Sequence, residues 1–84
     1  MADDIADRVK RVTAELLKID RAKVQDSSQF VENLGAASIQ SIELVAAFEE
    51  EFNVEMDQDE ALSIKSVGDA IRYISKVIAE QRGK

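Results

Sequence analysis

The chain has no cysteine, no histidine and no proline, and only three glycines among its 84 residues. Without cysteine there is no disulfide framework and no protein thiol. Without histidine the usual zinc sites are out of reach, and a serine nucleophile lacks an imidazole to activate it. Without proline nothing forces a kink inside a helix. The longest wholly apolar run, Leu44 to Phe48, is far too short to span a bilayer. The acidic start, Met1-Ala2-Asp3-Asp4-Ile5, carries no apolar signal-peptide core. These absences point to a soluble cytoplasmic protein, one small domain over residues 1–84, with no membrane insertion. Its stability margin is expected to be thin, since small cores rarely supply more than about 3–5 kcal/mol.

Basic residues are missing from one long stretch. The net charge is −6, but residues 1–23 hold six Lys/Arg against five Asp/Glu. Residues 65–84 hold five Lys/Arg against two Asp/Glu. Between them, Val24 to Ile64 holds ten Asp/Glu and no basic residue. Such a surface repels nucleic acid and complements a basic protein surface.

Periodicity predicts an all-α chain. Ile5, Val9, Val12 and Leu16 recur at helical spacing, marking a first helix over roughly Asp3 to Leu17. A long loop follows, from about Lys18 to Ala37, with the turn formers Asp26-Ser27-Ser28, Asn33 and Gly35. Ile19, Val24, Phe30 and Leu34 are its expected core anchors. A loop this long in a small domain signals a functional or specially packed segment. A second helix is expected from Ser38 to about Phe52-Asn53, with Ile39, Ile42, Val45, Phe48 and Phe52 as its inward stripe, helped by Leu44. Asp57-Gln58-Asp59-Glu60 reads as the capped start of a short third helix. Ser66 is expected to cap a last helix with Val67, Ile71, Ile74 and Ile78 facing inward and Gly83 after its end. Four helices, one short, make a small antiparallel four-helix bundle with a long first loop.

Candidate chemistry centres on Ser38. A glycine turn at Gly35 leads into it and an apolar-periodic helix follows. A helix start offers free backbone N–H groups that favour an attached phosphate. On spacing alone the same serine is also a good helix N-cap, worth about 1 kcal/mol. Conventional serine catalysis lacks a base, since the nearest lysines in sequence, Lys23 and Lys65, are remote. The acidic run at Asp57 is no EF-hand: its sixth position is Leu62 where glycine is needed, and its twelfth is Gly68 where glutamate is needed. No metal ligand set emerges.

From about Ile5 to Ile78 the chain resembles the acyl carrier protein family. Ile5-Ala6-Asp7-Arg8-Val9-Lys10 is similar to that family's first helix. Phe30-Val31-Glu32-Asn33-Leu34-Gly35 is similar to the approach to its modified serine. Ser38-Ile39-Gln40-Ser41-Ile42-Glu43-Leu44-Val45 and Phe48-Glu49-Glu50-Glu51-Phe52 resemble its second helix, and Ala70-Ile71-Arg72-Tyr73-Ile74 its last. The resemblance implies a non-catalytic carrier whose serine, Ser38 here, is modified by a phosphopantetheinyl transferase using coenzyme A. Acyl groups would ride as thioesters on the arm, which supplies the thiol the chain lacks. It further implies that Ile39, Glu43, Ala46, Glu49 and Glu50 meet basic docking patches on acyl-transferring and synthase enzymes. Phe30, Val45, Phe48, Met56, Ile64 and Ile71 would shelter an acyl chain, the protein acting as a monomer. Each of those six also suits ordinary core packing.

The family usually has Asp-Ser-Leu where this chain has Ala37-Ser38-Ile39, and Gln40 replaces another commonly acidic residue. The resemblance implies a role in fatty acid or specialised lipid or polyketide biosynthesis, and these departures better fit a discrete, specialised carrier with a dedicated synthase or lipid pathway. Two other readings share the scaffold: a carrier of aminoacyl or peptidyl groups, and an unmodified acidic interaction module.

Overall fold

The computed structural model describes residues 3–82, with side chains from 5 to 81. Among them lie four α-helices: α1 (Asp3–Leu17), α2 (Ser38–Phe52), α3 (Gln58–Leu62) and α4 (Val67–Arg82). A single 3-10 turn, Arg21–Lys23, interrupts the long loop between α1 and α2. The expected all-α bundle is therefore present, with the second helix starting at Ser38 as its sequence implied. Gly83 lies outside the described residues.

Each helix boundary has a local cause. α1 ends where Lys18 takes a left-handed conformation (φ 58°) and the Ile19 amide reaches back to the Ala14 carbonyl. α2 ends in the same way, with Asn53 at φ 55° and the Val54 amide on the Glu49 carbonyl. Asparagine tolerates that conformation better than most residues. Asp57 caps α3 by accepting from the Glu60 amide at 3.0 Å, and Ser66 caps α4 by accepting from the Asp69 amide at 3.1 Å. Both caps were legible in the sequence.

The core gathers Val9, Val12 and Ala14 of α1, Leu44, Phe48 and Phe52 of α2, and Val67, Ala70, Ile74 and Val77 of α4. Val24, Phe30, Ala36 and Val54 join it from the connections. Buried Thr13 satisfies its hydroxyl by donating to the Val9 carbonyl at 2.8 Å. Two expected stripes need correction. Ile39 and Ile42 face solvent, 68% and 48% exposed. Together with exposed Ala46 they form a separate i, i+3, i+7 stripe on the far side of α2 from Leu44, Phe48 and Phe52. On α4, Ala70 and Val77 are buried while Ile71 and Ile78 are only half-buried, a small rotation of the expected face.

An ion-pair knot ties α1 to the end of α2. Glu51 accepts from Arg8 Nε at 2.7 Å and from Arg11 Nη2 at 2.8 Å. The Arg8 guanidinium also lies 4.5 Å from the Phe52 ring centre. Both arginines hold the Glu51 carboxyl below its usual range, Arg8 most strongly.

The long loop is stitched to the α3–α4 connection by backbone bonds. Phe30 N–H donates to the Lys65 carbonyl, Val67 N–H to Ser28, and Gly68 N–H to Asp26, all within 2.8–2.9 Å. That special packing is what the loop's length implied. Gly68 permits the close approach: a Cβ there would sit 3.0 Å from the Asp26 carbonyl oxygen. Gly35, at φ +75°, turns the chain toward Ser38.

Candidate functional site

Ser38 is the first residue of α2, and the residue holding the N-cap position is Ala37 (φ −77°, ψ 164°). The serine is therefore not the cap. Alanine has no side-chain oxygen, and no side-chain cap bond forms. The Gln40 side chain reaches back instead, its Oε1 accepting from the Ala37 amide at 2.9 Å. This is one half of a capping box, and the other half is missing. The first helical bond runs from the Ser41 amide to the Ala37 carbonyl at 3.0 Å. The amides of Ser38, Ile39 and Gln40 thus meet no acceptor among the described residues.

The Ser38 side chain is exposed and forms no hydrogen bond to any described residue. No lysine or carboxylate is bonded to it, so nothing here activates it as a nucleophile. What the position offers is a free hydroxyl beside open amide donors at the positive end of a helix. That donor set suits a phosphodiester attached at the serine.

The outward face of α2 carries the other expected residues. Ile39, Glu43, Ala46 and Glu50 are exposed. Glu49 is half-buried, and its Oε2 accepts from the Met56 amide at 2.8 Å. Ile42, placed inward by sequence periodicity, belongs to this face. Exposed Val31 and Leu62 add further apolar surface.

Below this face lies an apolar cavity of about 310 Å³ between α2, α3, α4 and the loop before α2. Phe30, Val45, Phe48, Met56 and Ile64, five of the six expected pocket residues, line it. Ile71 does not; it packs half-buried against the core. The wall also includes Leu44, Leu62, Tyr73 and Ile74, which the sequence reading did not assign to it. Leu44 comes from α2, Leu62 from α3, and Tyr73 and Ile74 from α4, a tertiary convergence for which local periodicity carries no signal. The Tyr73 hydroxyl donates to Glu60 Oε1 at 3.2 Å. Burial, and secondarily that carboxylate, raises the Tyr73 pKa, so it stays a donor.

No group of three or more metal-ligating side chains converges among the described residues. No helix there is long and apolar enough to cross a membrane. Compared with known families, residues 7–74 match the sequence model of the phosphopantetheine attachment site.

Proposed function

The chain belongs to the phosphopantetheine attachment site family, a carrier domain of the acyl carrier protein type that bears the group covalently, and from this we propose that Ser38 is the attachment residue. The single observation that carries the assignment is an exposed serine hydroxyl at the head of α2 beside three amides without acceptors. A phosphodiester there gains both the amide donors and the helix dipole. When bound, the arm supplies the terminal thiol on which cargo is held as a thioester.

The chain's own residues do the rest. Glu43 and Glu50, with Ile39, Ile42 and Ala46 beside them, form a docking face for enzymes whose basic patches adjoin an apolar surface. The expected partners are a phosphopantetheinyl transferase and acyl-transferring or synthase enzymes. The protein itself carries without catalysing, as one carrier unit over residues 1–84, acting as a monomer. Loading from coenzyme A suits a cytoplasmic setting.

The cavity supports one cargo class. Its lining is dominated by Phe30, Leu44, Val45, Phe48, Met56 and Ile74, which favours an acyl chain over an aminoacyl or peptidyl group. Ala37 and Gln40, in place of the family's common acids, support a specialised lipid or polyketide pathway. Incubation of the apo protein with coenzyme A and a broad-specificity transferase tests the assignment by intact mass. A single adduct is expected, and none on Ser38→Ala. An adduct that survives Ser38→Ala removes the assignment.

A further inference from the structure

The cavity is apolar along most of its wall and polar at one end. Among its lining residues Lys65 is the one cation and Glu32 the one carboxylate. Ser41 lines it from α2, one turn after Ser38. The same helix face continues through Leu44, Val45 and Phe48, so Ser41 heads that wall. Its Oγ reaches the Ala37 carbonyl only at 3.5 Å, a weak bond. The Tyr73 hydroxyl is taken up by Glu60.

The backbone fixes where Lys65 stands. Gln29 and Ser66 form an antiparallel bridge, and Phe30 N–H donates to the Lys65 carbonyl at 2.9 Å. In that register Phe30 and Lys65 stand opposite each other and project to the same side. Phe30 is buried and lines the cavity, so the Lys65 side chain lies on the cavity side too. Lys65 is exposed, as a lysine is when its stem covers apolar surface and its ammonium meets water. The Phe30 carbonyl in turn accepts from the Ala36 amide at 2.8 Å, which holds this pair beside the head of α2. Arg8, Lys10, Arg11, Arg21 and Arg72 each pair with a carboxylate, whereas Lys65 makes no ion pair among the described residues.

We propose that Lys65 makes the cavity selective for acyl chains that carry a hydroxyl on the carbon β to the thioester. The inference rests on the acyl reading of the cavity given above. A chain tethered through Ser38 meets the cavity at its Ser41 end. Its far carbons then lie against Phe48, Met56 and Ile74, and the carbons next to the thioester stop beside Ser41 and Lys65. A plain methylene there leaves the ammonium to water alone. A hydroxyl accepts from the ammonium and donates to Glu32 or Ser41, so one neutral group satisfies both charges. A carboxylate at the same carbon gains Lys65 but faces Glu32, and like charges repel. Lys65 is therefore a specificity residue, with Phe30 as the platform under its stem.

The test uses the full apo chain and two soluble probes, the N-acetylcysteamine thioesters of octanoic and β-hydroxyoctanoic acid. Each is titrated at neutral pH and followed by NMR through the amide shifts of Leu44 and Ile74. In wild type the hydroxylated probe should bind with a Kd roughly threefold to tenfold lower, the scale of one hydrogen bond at a solvent-open site. Lys65→Met keeps an apolar stem over Phe30 and removes the charge. It should bring the two Kd values together by weakening the hydroxylated probe alone, with Tm unchanged. Lys65→Arg should retain the preference. The inference is overturned if wild type binds both probes equally or if Lys65→Met keeps the preference. It is also overturned if Lys65→Met weakens both probes alike, the mark of a merely structural role. Binding of neither probe overturns it together with the acyl reading of the cavity. Neither probe is attached to Ser38, so loading read by intact mass tests the carrier assignment separately.

Discussion

The empty cap at Ala37 makes a quantitative prediction. Ala37→Asp puts a carboxylate where the structure has no side-chain acceptor, facing the open amides of α2. Gln40 already supplies the return bond to residue 37, so the aspartate completes the capping box. Filling an N-cap this way is worth about 1 kcal/mol. For a domain of this size that corresponds to a rise in Tm of about 4–8 °C. The same change in protein loaded at Ser38 should behave differently. There the phosphodiester already lies beside those amides, and a second anion next to it is repelled. The gain should shrink to near zero or reverse. Thermal melting by circular dichroism on four species, wild type and Ala37→Asp, each apo and loaded, measures both effects. An unchanged apo Tm would refute the empty-cap reasoning. An equal gain in apo and loaded protein would refute the placement of the phosphate at the head of α2.

Three more outcomes follow from the same geometry. Arg8 and Arg11 depress the folded-state pKa of Glu51, so their contribution to stability is present above the ordinary glutamate pKa and is lost as pH falls through the depressed value. Urea midpoints of wild type measured from pH 7 down to 3 should therefore fall more steeply below about pH 4.3 than those of Glu51→Gln; parallel curves would contradict the ion-pair knot. Gly68→Ala should destabilise the protein by about 1–3 kcal/mol, because its Cβ would press on the Asp26 carbonyl at 3.0 Å; an unchanged chemical-denaturation midpoint would show the loop yields freely. Glu43→Lys should slow loading by a transferase, most strongly at low salt, and leave Tm within about 1 °C; a rate unmoved by charge reversal or salt would remove the acidic docking face.

Much of this fold could be read from residue order. The spacing of Ile5, Val9, Val12 and Leu16 delimits α1, and Asp57 and Ser66 announce the starts of α3 and α4, because helical period and capping are local properties. Ser38 stood out for the same reason. Its exact station did not, since a serine serves equally well as N-cap or first residue until the Gln40 bond to Ala37 is seen. Ile39 and Ile42 were misplaced because α2 carries apolar residues on two faces. Periodicity then gives the period without the phase. Ile71 was expected at the cavity and Tyr73 lines it instead, for a related reason: a small rotation of α4 decides which of them reaches the wall. The loop pairing with residues 65–68 and the Glu49 bond to Met56 depend on backbone amides and tertiary approach, which no side-chain pattern encodes. Five of the six expected cavity residues line it: Met56 and Ile64 flank the short α3, Val45 and Phe48 lie on α2, and Phe30 sits in the loop before α2.

Whether Ser38 carries phosphopantetheine is read most directly from the intact mass of the protein purified from its native host, followed by fragmentation of the peptide that contains Ala37, Ser38 and Ile39. The mass should be increased by one phosphopantetheine, free or acylated, localised to Ser38. An unmodified mass, or the group found on Ser41 or another residue, would contradict it.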